Sequence, residues 1–413
     1  MRAPNQCAKH SLKWLWRKLP RSLREKVFVD IFSSFAPVPK DIIPQGRPVV
    51  VVGYLSAASG IGAAARACYE ALSSAGIDVY AIDLTERLGG QRSVPINSFR
   101  DGKALTEPAT LILHVPGLHL PRALLLLGTS FLTNKRRVAH WFWELSAAPD
   151  IWRTPAKLVD EIWVNTKFVS DAVAHIAPDT PVKIAPYPLT RLAPQETERH
   201  RPNDTRFHVL SILNIASNFA RKNPCAAIKA FRCAFGDDPS ATLTIKVSNL
   251  EAWPAASDVI QREIAGASNI RLLGGLATTS EISQLYQSAD VVISLHRAEG
   301  LGLVVAEAMQ RGIPVIATNW SGNCDFFDDS VGIPVNYRLI NINDPQNFYH
   351  TDLVWADPII EDAKTALQRL RDDAQLRSEL AKNARARAED FFAPRRYVDF
   401  VIKHLGPAFQ NGD

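Results

Sequence analysis

The chain has 413 residues, 46% of them apolar and 22% charged, and a formal net charge of +5. It is too long for one ordinary core, so two domains are expected, and the composition is that of a soluble globular protein. No apolar run approaches the roughly 18 residues a membrane-crossing helix needs. The five cysteines (Cys7, Cys68, Cys225, Cys233, Cys324) are scattered in no metal-ligand spacing, which points to a reducing, cytoplasmic compartment.

Residues 1–45 form a basic N-terminal segment. Lys9, Lys13, Arg17, Lys18, Arg21, Arg24 and Lys26 crowd together, opposed by Glu25. Leu12, Leu15, Trp16, Leu19 and Leu23 recur among them at helical spacing, and Pro20 predicts two short helices rather than one. The segment lacks the apolar centre and cleavage site of a signal peptide. Two readings stand side by side: residues 9–26 meet an anionic membrane surface, or the Leu/Trp face docks on the protein.

A first α/β domain is expected over residues 46–187. Val49 to Leu55 is a continuous apolar run, as in strands buried on both faces of a parallel sheet. A Gly/Ala/Ser turn and a helix from about Ile61 to Ser74 follow, and strands are predicted at 78–82, 110–115, 138–142, 161–165 and 182–185. Gly60-x-Gly62-x-x-Ala65 loosely matches the dinucleotide fingerprint, with Asp83 about 20 residues on. This turn is either an anion or dinucleotide site or simply the start of a helix. The stretch Arg137 to Glu144 ends a strand where cleft residues belong. Its His140 is a hydrogen-bonding candidate or a core residue, and Trp141, Trp143 and Trp152 are a sugar-stacking face or core.

Between 188 and 206, Pro188, Pro194 and Pro202 interleave with polar residues, which marks a linker. A second domain of the same style is expected over 207–390, with a C-terminal helix and tail at 391–413. Its strands are predicted at 207–213, 243–247, 270–273, 291–295 and 314–317, with helices between. Arg221 and Lys222 stand at a helix start, where cations are unfavourable unless an anion such as a diphosphate meets them. Glu299 and Glu307 bracket the run Glu-Gly-Leu-Gly-Leu-Val-Val-Ala-Glu. Glu307 lies in an apolar helix and needs a partner, while Gly300 and Gly302 open that helix and leave its first amides free for phosphate. The polar turn from Thr318 to Asp325 at a strand's carboxyl end is a natural ligand loop.

These segments together resemble the retaining GT-B glycosyltransferases of family 4, the glycosyl transferases group 1. The resemblance runs from about Val50 to Val401 and is most specific in the second domain. His296-Arg297-Ala298-Glu299-Gly300-Leu301-Gly302-Leu303, continuing through Glu307-Ala308-Met309 to Thr318, is similar to the family's Glu-x7-Glu motif and the strand after it. Arg221-Lys222-Asn223-Pro224, Trp320-Ser321-Gly322-Asn323 and Trp141-x-Trp143-Glu144 resemble a subgroup acting on bacterial surface polysaccharides.

The resemblance implies an α/β fold of two Rossmann-like doubly wound domains facing a central cleft, with the C-terminal helix returning to the first domain. It implies three catalytic residues: Glu299 at the donor sugar's hydroxyls, His140 beside that sugar from across the cleft, and Lys222 on the diphosphate. Donor binding would fall to Glu307 on the ribose, Arg221, Gly300, Gly302 and Leu303 near the diphosphate, and Gly60 and Gly62 from the other domain. The family's Arg six residues before the lysine is replaced by Ala216, a gap that Arg221 would fill, and its aromatic after Glu-Gly is Leu301. No Asp-x-Asp motif stands in place, so metal-independent transfer without a cofactor is expected, with a nucleotide sugar as donor, a glycan or lipid-linked glycan as acceptor, and no nucleic acid. Two rivals remain: an NAD-dependent oxidoreductase built on Gly60, Gly62 and Asp83, and a catalytically silent nucleotide-sugar binder.

Overall fold

The computed structural model describes residues 19–39, 48–190, 192, 204–349 and 352–406. The basic segment before Leu19 and most of the linker, residues 193–203, lie outside them.

The continuous apolar runs become interior strands of two parallel sheets. In the first, β1 (Val49–Gly53), β2 (Val79–Asp83), β3 (Ala109–His114), β4 (Lys135–His140), β5 (Glu161–Val164) and β6 (Val182–Ile184) are ordered 2-1-3-4-5-6. Every residue of β1 is buried, because helices cover both faces. In the second, β7 (Phe207–Asn214), β8 (Ala241–Ser248), β9 (Ile270–Leu273), β10 (Val291–Ser294), β11 (Val315–Thr318) and β12 (Ile333–Val335) are ordered 12-11-10-7-8-9. A separate antiparallel hairpin, β13 (Tyr337–Asn341) with β14 (Val354–Pro358), follows. Strand periodicity gave no sign of β12 or of this hairpin.

Topology decides where a ligand can sit. After β7 the chain goes to β8 on one side and later to β10 on the other. The loops leaving β7 and β10 therefore diverge and leave a crevice at their carboxyl ends, the usual binding place in such sheets. Arg221 and Lys222 lie on the first of these loops, Glu299 on the second.

The two domains are packed together. One apolar cluster joins Ala64 and Tyr187 of the first domain to Leu301, Val305 and Met309 of the second. The C-terminal helix Pro394–Leu405 crosses back, and its Tyr397, Val398, Val401 and Leu405 pack with Tyr69, Leu72 and Trp163. The Tyr397 hydroxyl lies 2.9 Å from Cys68 Sγ within that contact.

Candidate functional site

The loop after β7 is rigidly built. Asn218, at φ 82°, accepts the Arg221 amide on Oδ1, and Asn223, at φ 50°, donates its Nδ2 to Leu295 O. Arg297 N–H donates to Arg221 O at 2.7 Å, so the loops from β7 and β10 are stitched together. Arg297 is held in turn by Asp357 at the end of the hairpin, at 2.7 and 2.9 Å.

This stitching sets the charges. Lys222 Nζ donates to Glu299 Oε1 at 2.5 Å, and Arg221 Nη1 lies 3.3 Å from Oε2. Glu299 is 8% exposed. Burial alone would raise its pKa, but the Lys222 and Arg221 charges, helped by His296, overcome that and hold it at about 2. A carboxylate of that acidity is a poor proton acceptor at neutral pH, and it remains a full charge and a hydrogen-bond acceptor. The Glu299 amide donates to Ser321 Oγ and its carbonyl accepts from Gly322 N–H, which fixes its backbone. Gly322 must be glycine here, since a Cβ would fall 2.1 Å from Gly300 O.

Arg221 was expected on the diphosphate. Its guanidinium instead lies beneath Glu299, only 2% exposed, donating to Ala298 O and Ser217 O at 2.6 and 2.7 Å. Lys222, on the same helical turn, is the cation that reaches the crevice edge.

Three residues after Glu299, Gly302 adopts φ 93°, which a side chain disfavours, and starts the helix Leu303–Gln310 without any side-chain cap. Its first amides therefore remain open to an anion. Glu307, half-buried on this helix, accepts from Tyr286 Oη at 3.0 Å on Oε2. Its Oε1 has no partner among the described residues. Burial pushes the Glu307 pKa up, against the pull of Arg311 and Tyr286.

The first domain closes over this site. Glu144 Oε1 lies 3.7 Å from Arg221 Nη2, and Tyr349 from the hairpin loop donates to Glu144 Oε2 at 3.4 Å. Thr166 Oγ1 donates to Gly300 O at 2.8 Å, and the Lys167 amide to Asp325 Oδ2 at 2.7 Å. A Cβ on Gly300 would fall 2.5 Å from Trp143 O, and one on Gly60 3.9 Å from Leu303 Cδ1. Gly60 therefore faces the start of the Leu303 helix. Gly62 does not face the cleft: two residues further into the helix, a Cβ there would run into the carbonyls of Ala57 and Tyr54.

His140 is 2% exposed and bonded to Asn165 Oδ1 at 3.1 Å. The Asn165 amide donates to Ala185 O, so its oxygen faces the imidazole and His140 carries its proton on Nε2. Burial lowers its pKa to about 4. Its ring stacks 5.0 Å from Phe142, which packs against the interdomain cluster containing Leu301. The structure thus brings Glu299, Lys222, Gly300, Gly302, Leu303 and Gly60 together, with His140 behind them in the wall.

Asp83 is also accounted for. It accepts from Ser56 Oγ at 2.6 Å and from the Thr85 hydroxyl and amide at 2.5 and 3.1 Å. These bonds occupy the carboxylate a dinucleotide would need. Sequence reasoning missed Tyr349 and Thr166, whose roles appear only when the domains meet. It quoted Glu144 and Asp325 within longer stretches without giving either a task of its own.

Residues 211–387 match the family model for glycosyl transferases group 1. Among relatives, a sulfoquinovosyl transferase of Arabidopsis thaliana is 32% identical over 28% of this chain and 20% of its own. A D-inositol 3-phosphate glycosyltransferase of Paenarthrobacter aurescens is 32% identical over 31% of this chain and 27% of its own. The chain thus spans about a fifth to a quarter of these relatives. Among solved structures, Anabaena HepE in complex with UDP and glucose superposes with a TM-score of 0.61 at 14% identity, covering 86% of this chain and 98% of that one. The fold is GT-B. In that arrangement the first sheet carries the cleft wall with His140 and Glu144, and the family-matched second domain carries Lys222, Glu299 and Glu307.

Proposed function

We propose that this GT-B protein is a retaining hexosyltransferase of family 4, moving a hexose, with mannose favoured, from a nucleotide-diphosphate sugar to a lipid-linked or growing surface polysaccharide. The observation that carries the reading is the partly buried Lys222–Glu299 pair, 2.5 Å long, beside the uncapped start of the Leu303 helix. A cation and free helix amides suit a diphosphate; an ionised carboxylate next to them suits sugar hydroxyls.

The chemistry follows from charge. Breaking the bond between the anomeric carbon and the phosphate oxygen places negative charge on the diphosphate and positive character on the ring. Lys222 and the amides after Gly302 stabilise the leaving group as it departs, while Glu299 holds hydroxyls and faces the developing positive charge. The departing phosphate oxygen takes the acceptor hydroxyl's proton on the same face, so the new bond forms with retention. Glu307 Oε1 accepts a ribose hydroxyl. The closed domains keep water from competing with the acceptor. No metal or cofactor takes part in this scheme. The protein works on the cytoplasmic face of the membrane, which its basic segment 9–26 contacts.

The test is a thermal-shift panel of nucleotide diphosphates, nucleotide sugars and NAD, followed by a transfer assay with the best donor. Binding to a nucleotide diphosphate raises the melting temperature by mass action. Lys222→Ala is expected to weaken diphosphate binding roughly 10- to 100-fold and nucleoside binding little. Equal losses would remove Lys222 from the diphosphate. A response to NAD alone would overturn the transferase reading, and tight donor binding without turnover would favour a silent binder.

A further inference from the structure

The helix Arg21–Phe35 begins directly after Pro20 and packs one face on the first domain. Val29 is buried, the Phe28 and Phe32 rings lie 4.4 Å apart, and Phe28 meets His119 edge-on at 6.2 Å. The opposite face carries Leu23, Val27, Ile31 and Phe35 at i, i+4 spacing, with Val27 partly exposed, and Leu19 stands exposed just before the helix. Leu23 is 43% exposed, Ile31 52%, Phe35 74% and the nearby Val38 67%. Single exposed apolar residues are ordinary, but several along one helix face and its flanks are not, and they mark a contact surface.

From this row we infer that the ridge Leu19–Val38 is a docking surface for an anionic lipid bilayer. Charge decides among occupants. The 18 residues that lead into the ridge hold five cations, Arg2, Lys9, Lys13, Arg17 and Lys18, and no carboxylate. Arg24 and Lys26 continue the series, while Arg21 and Lys26 also pair locally with Glu25 and Asp30. Apolar side chains flanked by cations suit a surface of acyl chains under acidic headgroups. A second copy of the chain fits less well: a row one residue wide falls short of the roughly 800 Å² per partner of a stable interface, and it would set like charges together. The surface goes beyond the basic stretch 9–26, because its exposed apolar part lies mainly after residue 26.

The ridge also fixes an orientation. Arg21 Nη1 donates to Asn347 O at 2.7 Å and its guanidinium sits 5.2 Å from the Phe348 ring. The next residue, Tyr349, reaches Glu144 over the Lys222–Glu299 site. A bilayer on the ridge therefore lies beside the hairpin loop that closes the cleft, within reach of an acceptor whose lipid stays in the membrane. This last step rests on the proposed glycosyl transfer; the docking does not.

The experiment is sedimentation of the full chain with vesicles of phosphatidylcholine alone or with 40% phosphatidylglycerol, comparing wild type with the double variant Ile31→Ser/Phe35→Ser. Both side chains are exposed and outside the site, so melting temperature and nucleotide diphosphate binding should be unchanged. Wild type is expected to sediment with the acidic vesicles and much less with the neutral ones, and the double variant to lose at least 10-fold in apparent affinity. Wild-type binding by the double variant, equal binding to neutral vesicles, or no wild-type binding at all would each overturn the proposal. So would sedimentation equilibrium showing a wild-type dimer that the double variant dissolves. Vesicle binding is read without any turnover, so its failure is distinguishable from failure of the transferase reading.

Discussion

Glu144 of the first domain and Arg221 of the second face each other across the cleft, Oε1 to Nη2, at 3.7 Å. The same guanidinium touches Glu299 at 3.3 Å through its other nitrogen. One buried cation therefore senses both the closing domain and the carboxylate assigned to the donor sugar. In the proposed transfer Glu144 would be a positioning residue, acting on Glu299 through Arg221.

Glu144→Gln should lower kcat/KM roughly 3- to 10-fold, the effect of weakening one charged contact in a partly exposed pair. Nucleotide diphosphate affinity should hold within about 2-fold, because the proposed nucleotide contacts lie on the second domain. Tyr349→Phe should act in the same direction by loosening Glu144. Steady-state kinetics beside a binding titration separate the two effects, and a parallel loss of nucleotide affinity would contradict the positioning role.

Gly300→Ala tests closure itself. The added methyl would lie 2.5 Å from Trp143 O, a backbone atom that cannot swing aside. The domains must then part, and a displacement of about 1 Å in reacting groups can cost roughly 100-fold in rate. If the transfer proposed above holds, activity should fall on that order while nucleotide diphosphate affinity is kept. Small-angle scattering should show a larger radius of gyration.

Glu307→Gln separates function from stability. Burial raises the Glu307 pKa above that of the unfolded chain. The unfolded chain gives up this proton first, so the contribution to stability is present below the ordinary carboxyl pKa and is lost as pH rises through the folded value. A neutral amide removes that loss. The variant's ligand-free melting temperature at pH 7 should rise or hold, while nucleotide diphosphate affinity falls roughly 10- to 100-fold. Unchanged affinity would remove Glu307 from the ribose.

His140 predicts acid sensitivity. Burial holds its pKa at about 4, against 6.5 when unfolded. Between those values the unfolded chain binds more protons, so stability falls as pH drops from 6.5 toward 4, by about 3 kcal/mol for this group. His114, fully buried 4.7 Å away ring to ring and lowered by the same cause, adds in the same direction. Denaturant melts at pH 7, 5.5 and 4.5 should show the slope, and His140→Gln should flatten it.

Much of this molecule was legible before its coordinates. The strand run at Val49, the helix ending at Ser74 and the strand Ile270–Leu273 appear as read, because apolar periodicity is a local signal. Arg221 did not, because a cation at a helix start looks the same whether it faces a ligand or a buried carboxylate 78 positions later. Gly62 likewise reads as a phosphate glycine until its packing against Ala57 O and Tyr54 O is seen.

The sequence by itself determined two α/β domains, a cleft, and a second domain carrying Lys222, Glu299 and Glu307. Hydrophobic patterning and backbone stereochemistry suffice for that, since both act between near neighbours. Only the tertiary structure decided which charges meet. The return from β9 to β10, beside β7, brings Arg221 under Glu299, and the hairpin loop brings Tyr349 to Glu144. Those pairings depend on distances set by the whole sheet and by the closed domains. Glu299, which the sequence offered as a carboxylate for a ligand, is met in the fold by both Lys222 and Arg221.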